Sequence, residues 1–236
     1  MRPLFYSSAA LALLVSTACA ENETASASEP AEMETAAVEA EAAAETSAQE
    51  TASNEAMDDA GRSTLSSGTY EMDKTHGYVT FSYLHQGYSR PVLRFDDVDA
   101  TVTYDAEDPS ASALMVEIDP ASINSGVADF DQHLKSGDFF EVETYDSITF
   151  ESTDLTFDSP TTGTLTGDLT MKGVTKPVTL DVVLNRAAEH PMQNVDAFGI
   201  SATGQIMRSE WDLGLYTPYV GDAVDLRIEA EFLKAE

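Results

Sequence analysis

The amino-acid sequence predicts an all-β domain, an antiparallel barrel or sandwich, over residues 66–236. Three observations carry this. Apolar residues alternate with polar ones at period two in several separate stretches, the pattern of strands with one buried face. Turn residues separate those stretches: Glu107-Asp108-Pro109, Asp158-Ser159-Pro160, Lys172-Gly173 and Val220-Gly221-Asp222. No long amphipathic helix lies between them, as a parallel sheet would require for its crossovers.

Two segments precede the domain. Residues 1–20 read as a secretory signal: one positive charge at Arg2, an apolar run from Ala9 to Val15, then small residues. The run is much shorter than the roughly 20 apolar residues that span a bilayer. Two cleavage readings compete at its end. Ser16-Thr17-Ala18-Cys19 resembles a bacterial lipobox, in which Cys19 is lipidated and becomes the first mature residue; Ala18-Cys19-Ala20 is an ordinary A-x-A site that would free a soluble protein. Cys19 is the only cysteine in the chain and stands where lipidation would use it, which favours the lipoprotein. Residues 21–64 contain no aromatic residue, twelve Asp or Glu and one Arg. Such a stretch buries too little apolar surface to offset chain entropy and repels itself, so a disordered acidic, Ala-rich tether is expected, with a mean span of about 35 Å.

Within the domain, Val79, Phe81, Tyr83 and His85 share one strand face, and Leu114, Val116 and Ile118 another. Ile148 and Phe150 alternate with polar neighbours, as do Leu165, Leu169 and Met171 around Gly167. Val178, Leu180, Val182 and Leu184 form a further set, and Val224, Leu226, Ile228, Ala230 and Phe232 the last. Between Ser122 and Tyr145 the period breaks: Ile123, Val127, Phe130, Leu134, Phe139 and Phe140 partly follow helical spacing, which predicts a short helical or irregular insertion lying on the sheet.

Composition excludes several functions. The chain holds 42 acidic and 12 basic residues, a formal charge of −30. Nucleic acid is therefore a poor partner, since its binding draws on Lys and Arg at phosphates; electrostatic docking on anionic lipid fails for the same reason. One cysteine permits neither an intramolecular disulfide nor a multi-cysteine metal site. No G-x-G-x-x-G, P-loop, H-E-x-x-H or G-x-S-x-G is present, and His76, His85, His133 and His190 lie far apart in sequence. No metal site and no enzyme are indicated.

Several motifs together point to a family. Asp73-Lys74-Thr75-His76 leading into Val79 to His85, Pro120-Ala121-Ser122-Ile123-Asn124, Asp131-Gln132-His133-Leu134-Lys135-Ser136-Gly137-Asp138-Phe139-Phe140, the hairpin from Leu165 to Val178, and Arg208-Ser209-Glu210-Trp211 followed by Val220-Gly221-Asp222 resemble, in order, the YceI-like, lipocalin-like polyisoprenoid-binding proteins. The resemblance implies an extended antiparallel barrel whose apolar channel holds the tail of a long isoprenoid, such as a polyprenyl phosphate or ubiquinone. It also implies a periplasmic setting and no metal or redox cofactor of the protein's own. Three positions depart from the pattern: Gly77 where Ser is common, Phe130 where a basic residue usually precedes the Asp-x-His-Leu run, and Asp212 for a customary Gly.

Strand alternation makes Phe81, Tyr83, Phe150, Leu169, Met171 and Trp211 candidates for the interior, with Phe139 and Phe140 across an opening. For each, ordinary core packing is the plainer role; as a set they suit a flexible tail. Tyr83, His85, His133 and Arg208 are candidates for a polar headgroup, the plainer roles being a hydrogen bond that fastens the insertion for His133 and an ion pair for Arg208. A diphosphate would need several basic residues, and residues 66–236 hold ten against thirty acidic ones, so a neutral quinone-like head is expected. The leading function is non-catalytic isoprenoid carriage or storage, which predicts a continuous dry tunnel. The alternative is an envelope interaction protein with a filled barrel and an acidic partner-binding face; a third is an enzyme using His85 or His133 as base. The chain is left as a monomer or a homodimer.

Overall fold

The computed structural model describes residues 65–235. The 1–20 signal segment with Cys19 and the 21–64 tether lie outside the described residues. Among the described residues, eleven strands and one α-helix follow one another: β1 (Gly68–Met72), β2 (Tyr78–His85), β3 (Val92–Phe95), β4 (Val98–Tyr104), β5 (Ala113–Ile118), β6 (Ile123–Asn124), helix α1 (Ala128–Lys135), β7 (Ile148–Phe157), β8 (Thr162–Met171), β9 (Val174–Glu189), β10 (Asp196–Met207) and β11 (Val220–Lys234).

All pairings are antiparallel. Strands β1, β4, β5, β7, β8, β9, β10 and β11 form a ring that β11 closes by pairing with β1. An eight-stranded ring has no free edge. Farther along, β11 pairs with β2, which continues to β3 and β6. Thus β1 with β2, β3 with β4, and β5 with β6 are three long strands, each interrupted once.

The three interruptions adjoin one another. Lys74 in the first reaches Asp97 in the second at 3.1 Å and Asp99 at 2.7 Å; the Asp97 carbonyl accepts from Asp119 N in the third. An aspartate shapes two of the bends by accepting the backbone N–H two residues on, Asp73 from Thr75 and Asp119 from Ala121. The β8–β9 hairpin turns on Lys172 (φ 48°) and Gly173 (φ 71°), the left-handed pair that matches strand twist. Lys172 also donates to the Asp212 carbonyl at 3.3 Å. Asp212 occupies φ 58°, a conformation that Asp tolerates better than most residues, so its replacement of Gly is accommodated. At Gly77 the space a Cβ would need is held by Met72, whose Sδ would lie 2.6 Å from it.

The predicted alternating stretches lie in β2, β5, β7, β8, β9 and β11. One sequence expectation is corrected. Val220-Gly221-Asp222 is not a turn between strands; it lies inside β11, where the register with β2 shifts between Val220 and Val224. The expected short helical or irregular insertion is present, helical over Ala128–Lys135 and irregular after it. Its remainder crosses one end of the barrel, here called the upper end, alongside β2, β3 and β6.

The core divides accordingly. At the lower end Tyr70 is fully buried and donates its hydroxyl to the Ser66 carbonyl at 2.7 Å. Phe198 stacks on Phe232 at 4.9 Å and meets Tyr70 edge-on at 5.4 Å. The upper core gathers around Leu93, Ile123, Ile148, Met171 and Trp211.

Candidate functional site

The upper half encloses a cavity of about 510 Å³, within the roughly 300–1,000 Å³ usual for small-molecule sites. Its walls come from inward positions of the strands: Val79, Phe81, Tyr83 and His85 from β2, Leu169 and Met171 from β8, Val224 and Leu226 from β11. Each set repeats every second residue because successive side chains on a strand point to opposite faces. The roof is the insertion. On α1, Phe130, His133 and Leu134 face the cavity together, at the three- and four-residue spacing that shares one helix face. Phe139 and Phe140 follow, and Tyr216 completes the roof from the loop after β10.

Aromatic contacts tie roof to wall. Phe81 lies 5.5 Å from Phe95, and Phe95 meets Phe140 edge-on at 5.7 Å. Phe139 reaches Tyr216 at 6.4 Å. His133 packs edge-on against Phe139 at 5.1 Å, and its Nε2 bonds the Asp138 carboxylate at 3.1 Å, which fastens the insertion to itself. Asp131 accepts from both the backbone N and the hydroxyl of Ser125, and the Ser125 hydroxyl bond in particular holds its carboxyl below the usual range.

Polar groups are few. The lining contains no carboxylate, although the chain holds 42 acidic residues. Arg208 is its one permanent cation, 8% exposed. The ion pair that was its plainer role is not formed: Nε donates to the Gly221 carbonyl at 2.8 Å, Nη2 to Val220 at 3.0 Å and Nη1 to Leu213. A guanidinium carries five N–H donors, so some remain for a ligand. Burial pushes Arg208 below its ordinary value, with the Asp222 carboxylate opposing that shift. Burial pushes the Tyr83 hydroxyl up, with Arg208 opposing.

Nine of the eleven sequence-predicted residues line this cavity: Phe81, Tyr83, His85, His133, Phe139, Phe140, Leu169, Met171 and Arg208. Two do not. Trp211 is fully buried behind the wall, its indole N–H donating to the Leu169 carbonyl at 3.1 Å; it sits on a short 3-10 turn, Arg208–Trp211, where strand alternation does not apply. Phe150 points inward but below the cavity, buried among core residues. Sequence reasoning missed Phe130, Leu134, Ile148 and Tyr216 as lining residues. Ile148 was in phase with Phe150 and could have been found; Tyr216, at φ 66° in an irregular loop, left no periodic signal.

The expected continuous tunnel is instead two spaces. A second, apolar cavity of about 130 Å³ lies lower, bordered by Val102, Leu114, Leu155, Leu165, Val182 and Ile200 among others, and shares no lining residue with the first. The filled interior of the alternative reading is not found either.

The family model described as a YceI-like domain matches residues 70–232. Protein YceI of Shigella flexneri is 34% identical over 175 residues, covering 74% of this chain and 91% of that one. Among solved structures, BcnA of Burkholderia cenocepacia superposes with a TM-score of 0.61 at 22% identity, over 68% of this chain and 98% of BcnA. A polyisoprenoid-binding domain of Saccharophagus degradans, implicated in plant cell wall breakdown, does so with a TM-score of 0.52 at 14% identity, over 70% and 98%.

Proposed function

Because the chain belongs to the YceI-like family, we propose that its upper cavity binds the tail of an isoprenoid lipid, and that the protein carries or stores this lipid without transforming it. The observation that carries the reading is an apolar cavity of about 510 Å³ with no carboxylate in its lining, inside so acidic a protein. Excluding every acid from one space is what an uncharged, water-insoluble guest needs. Each buried CH₂ group contributes about 0.8 kcal/mol. The polyisoprenoid-binding domain of S. degradans has the same fold, which supports the choice of guest.

The headgroup in this reading is neutral and quinone-like. Phe130 stands in the roof where the family pattern has a basic residue, and Arg208 alone supplies permanent positive charge. One guanidinium, most of whose bonds already go to backbone carbonyls, is too little for a diphosphate. The setting in this reading is the bacterial periplasm, with Cys19 lipidated and residues 21–64 as the tether. Several acyl chains hold a protein on a membrane stably where one does not.

Lipid extraction of the full-length protein purified from its native envelope, followed by mass spectrometry, tests this. A prenyl quinone is the expected product. Polyprenyl diphosphate alone would overturn the headgroup assignment, and a folded protein carrying no isoprenoid would overturn the carrier.

A further inference from the structure

Between the two cavities lies a layer of inward residues that line neither. Along β7, Ile148 borders the upper cavity and Leu155 the lower, with Phe150 between them. Along β8 the same sequence is Leu169, Gly167, Leu165, and along β5 it is Ile118, Val116, Leu114. On β10, Ile206 is above and Ile200 below, with Gly204 and Ala202 between. On β9, Leu180 stands next above Val182 of the lower cavity.

The two bulky members of this layer on β7 and β9 are each seated against a glycine. A Cβ at Gly167 would lie 2.3 Å from Phe150 Cζ, and one at Gly204 would lie 2.6 Å from Leu180 Cδ2. No real Cβ could stand at either distance, so the glycines leave notches that these side chains occupy. Both are buried. Apolar space exists above and below them, and the barrel wall is continuous past them.

We propose that Phe150 and Leu180 form a partition that sets the length of apolar tail the barrel accepts: a tail entering the upper cavity ends at Phe150, and the lower cavity stays empty. This rests on the reading of the upper cavity as a tail site and adds to it a length limit carried by two side chains. Neither touches a headgroup, so they determine specificity only through the far end of the guest.

The test titrates the full-length protein with a series of benzoquinones bearing prenyl tails from short to long, read by quenching of Trp211, the only tryptophan in the chain. For the wild type, affinity should rise with tail length and then level off once the upper cavity is filled. In Phe150→Ala and in Leu180→Ala the rise should continue, so that the longest tails bind about tenfold more tightly than to wild type, about 1.4 kcal/mol, while the shortest bind unchanged. Far-UV circular dichroism reports folding. Should Phe150→Ala not fold, Phe150→Leu together with Leu180→Ala carries the measurement. An identical length profile in wild type and folded variants overturns the partition and leaves tail binding standing. Failure of every tail length to bind wild type overturns the tail site itself, and the partition with it.

Discussion

At the lower end of the barrel, Tyr70, Phe198 and Phe232 meet in the interior and leave only about 130 Å³ open beside them. At the upper end aromatic residues are just as plentiful, yet Phe81, Phe95, Phe139 and Phe140 sit against walls and roof and leave about 510 Å³ open. The difference is one of origin. Lower aromatics come from three neighbouring strands, β1, β11 and β10, and pack side by side, with Phe198 directly opposite Phe232. Half of the upper ones hang from the insertion, outside the ring, and pack against wall residues from above. A roof supplied by a separate segment lets the strands beneath it remain hollow.

The comparison can be broken by mutation. The largest effect is expected for Phe232→Ala, which should cost about 3–5 kcal/mol in urea unfolding because the packed lower end cannot collapse around the void, with ligand affinity of the folded protein unchanged. Phe81→Ala should cost only about 1–2 kcal/mol, since part of that ring already faces empty space and has few contacts to lose; equal costs would mean that the two ends are packed alike. Next comes Met171→Arg, which puts a charge into the apolar space. Isoprenoid affinity should fall at least about a hundredfold, near 2.7 kcal/mol, while circular dichroism stays that of the barrel; retained ligand would remove Met171 from the site.

The smallest effect concerns the bend joining the two ends. Hydrogen bonds from the Thr75 hydroxyl first, then His76 and the Thr75 backbone, lower the Asp73 carboxyl from 3.8 to about 2. The folded state thus keeps this charge at acidities where the unfolded chain has lost it. Its contribution is complete above pH 3.8 and disappears as pH falls through about 2; at this solvated rim it amounts to about 1 kcal/mol. Asp73→Asn should flatten that part of the acid unfolding curve and leave both cavities as they are.

Much of this architecture was legible in the residues. Val178 to Leu184 alternate without a break because β9 keeps one buried face up to the register shift opposite Gly199 and Ile200. Strand β10 was not legible: Gly199, Ala202 and Gly204 stand at or beside its inward positions, and small residues give no hydrophobic signal although a barrel needs them where neighbours lean across. Strands β3 and β6 were too short to show a period. For the site, alternation told which side chains point inward. Whether they meet in the middle depends on what faces them across the lumen, so Phe150 was assigned to the binding space and instead lies beneath it.

The adjoining bends at Asp73, Asp97 and Asp119 give the barrel a jointed front and a rigid back. Strands β7 to β10 run uninterrupted past the level where the other three are broken. A wall assembled this way yields along its joints first, so widening to admit a swollen guest falls on one sector of the circumference. Amides flanking those bends should then be the ones whose hydrogen exchange slows most when the space above them is occupied.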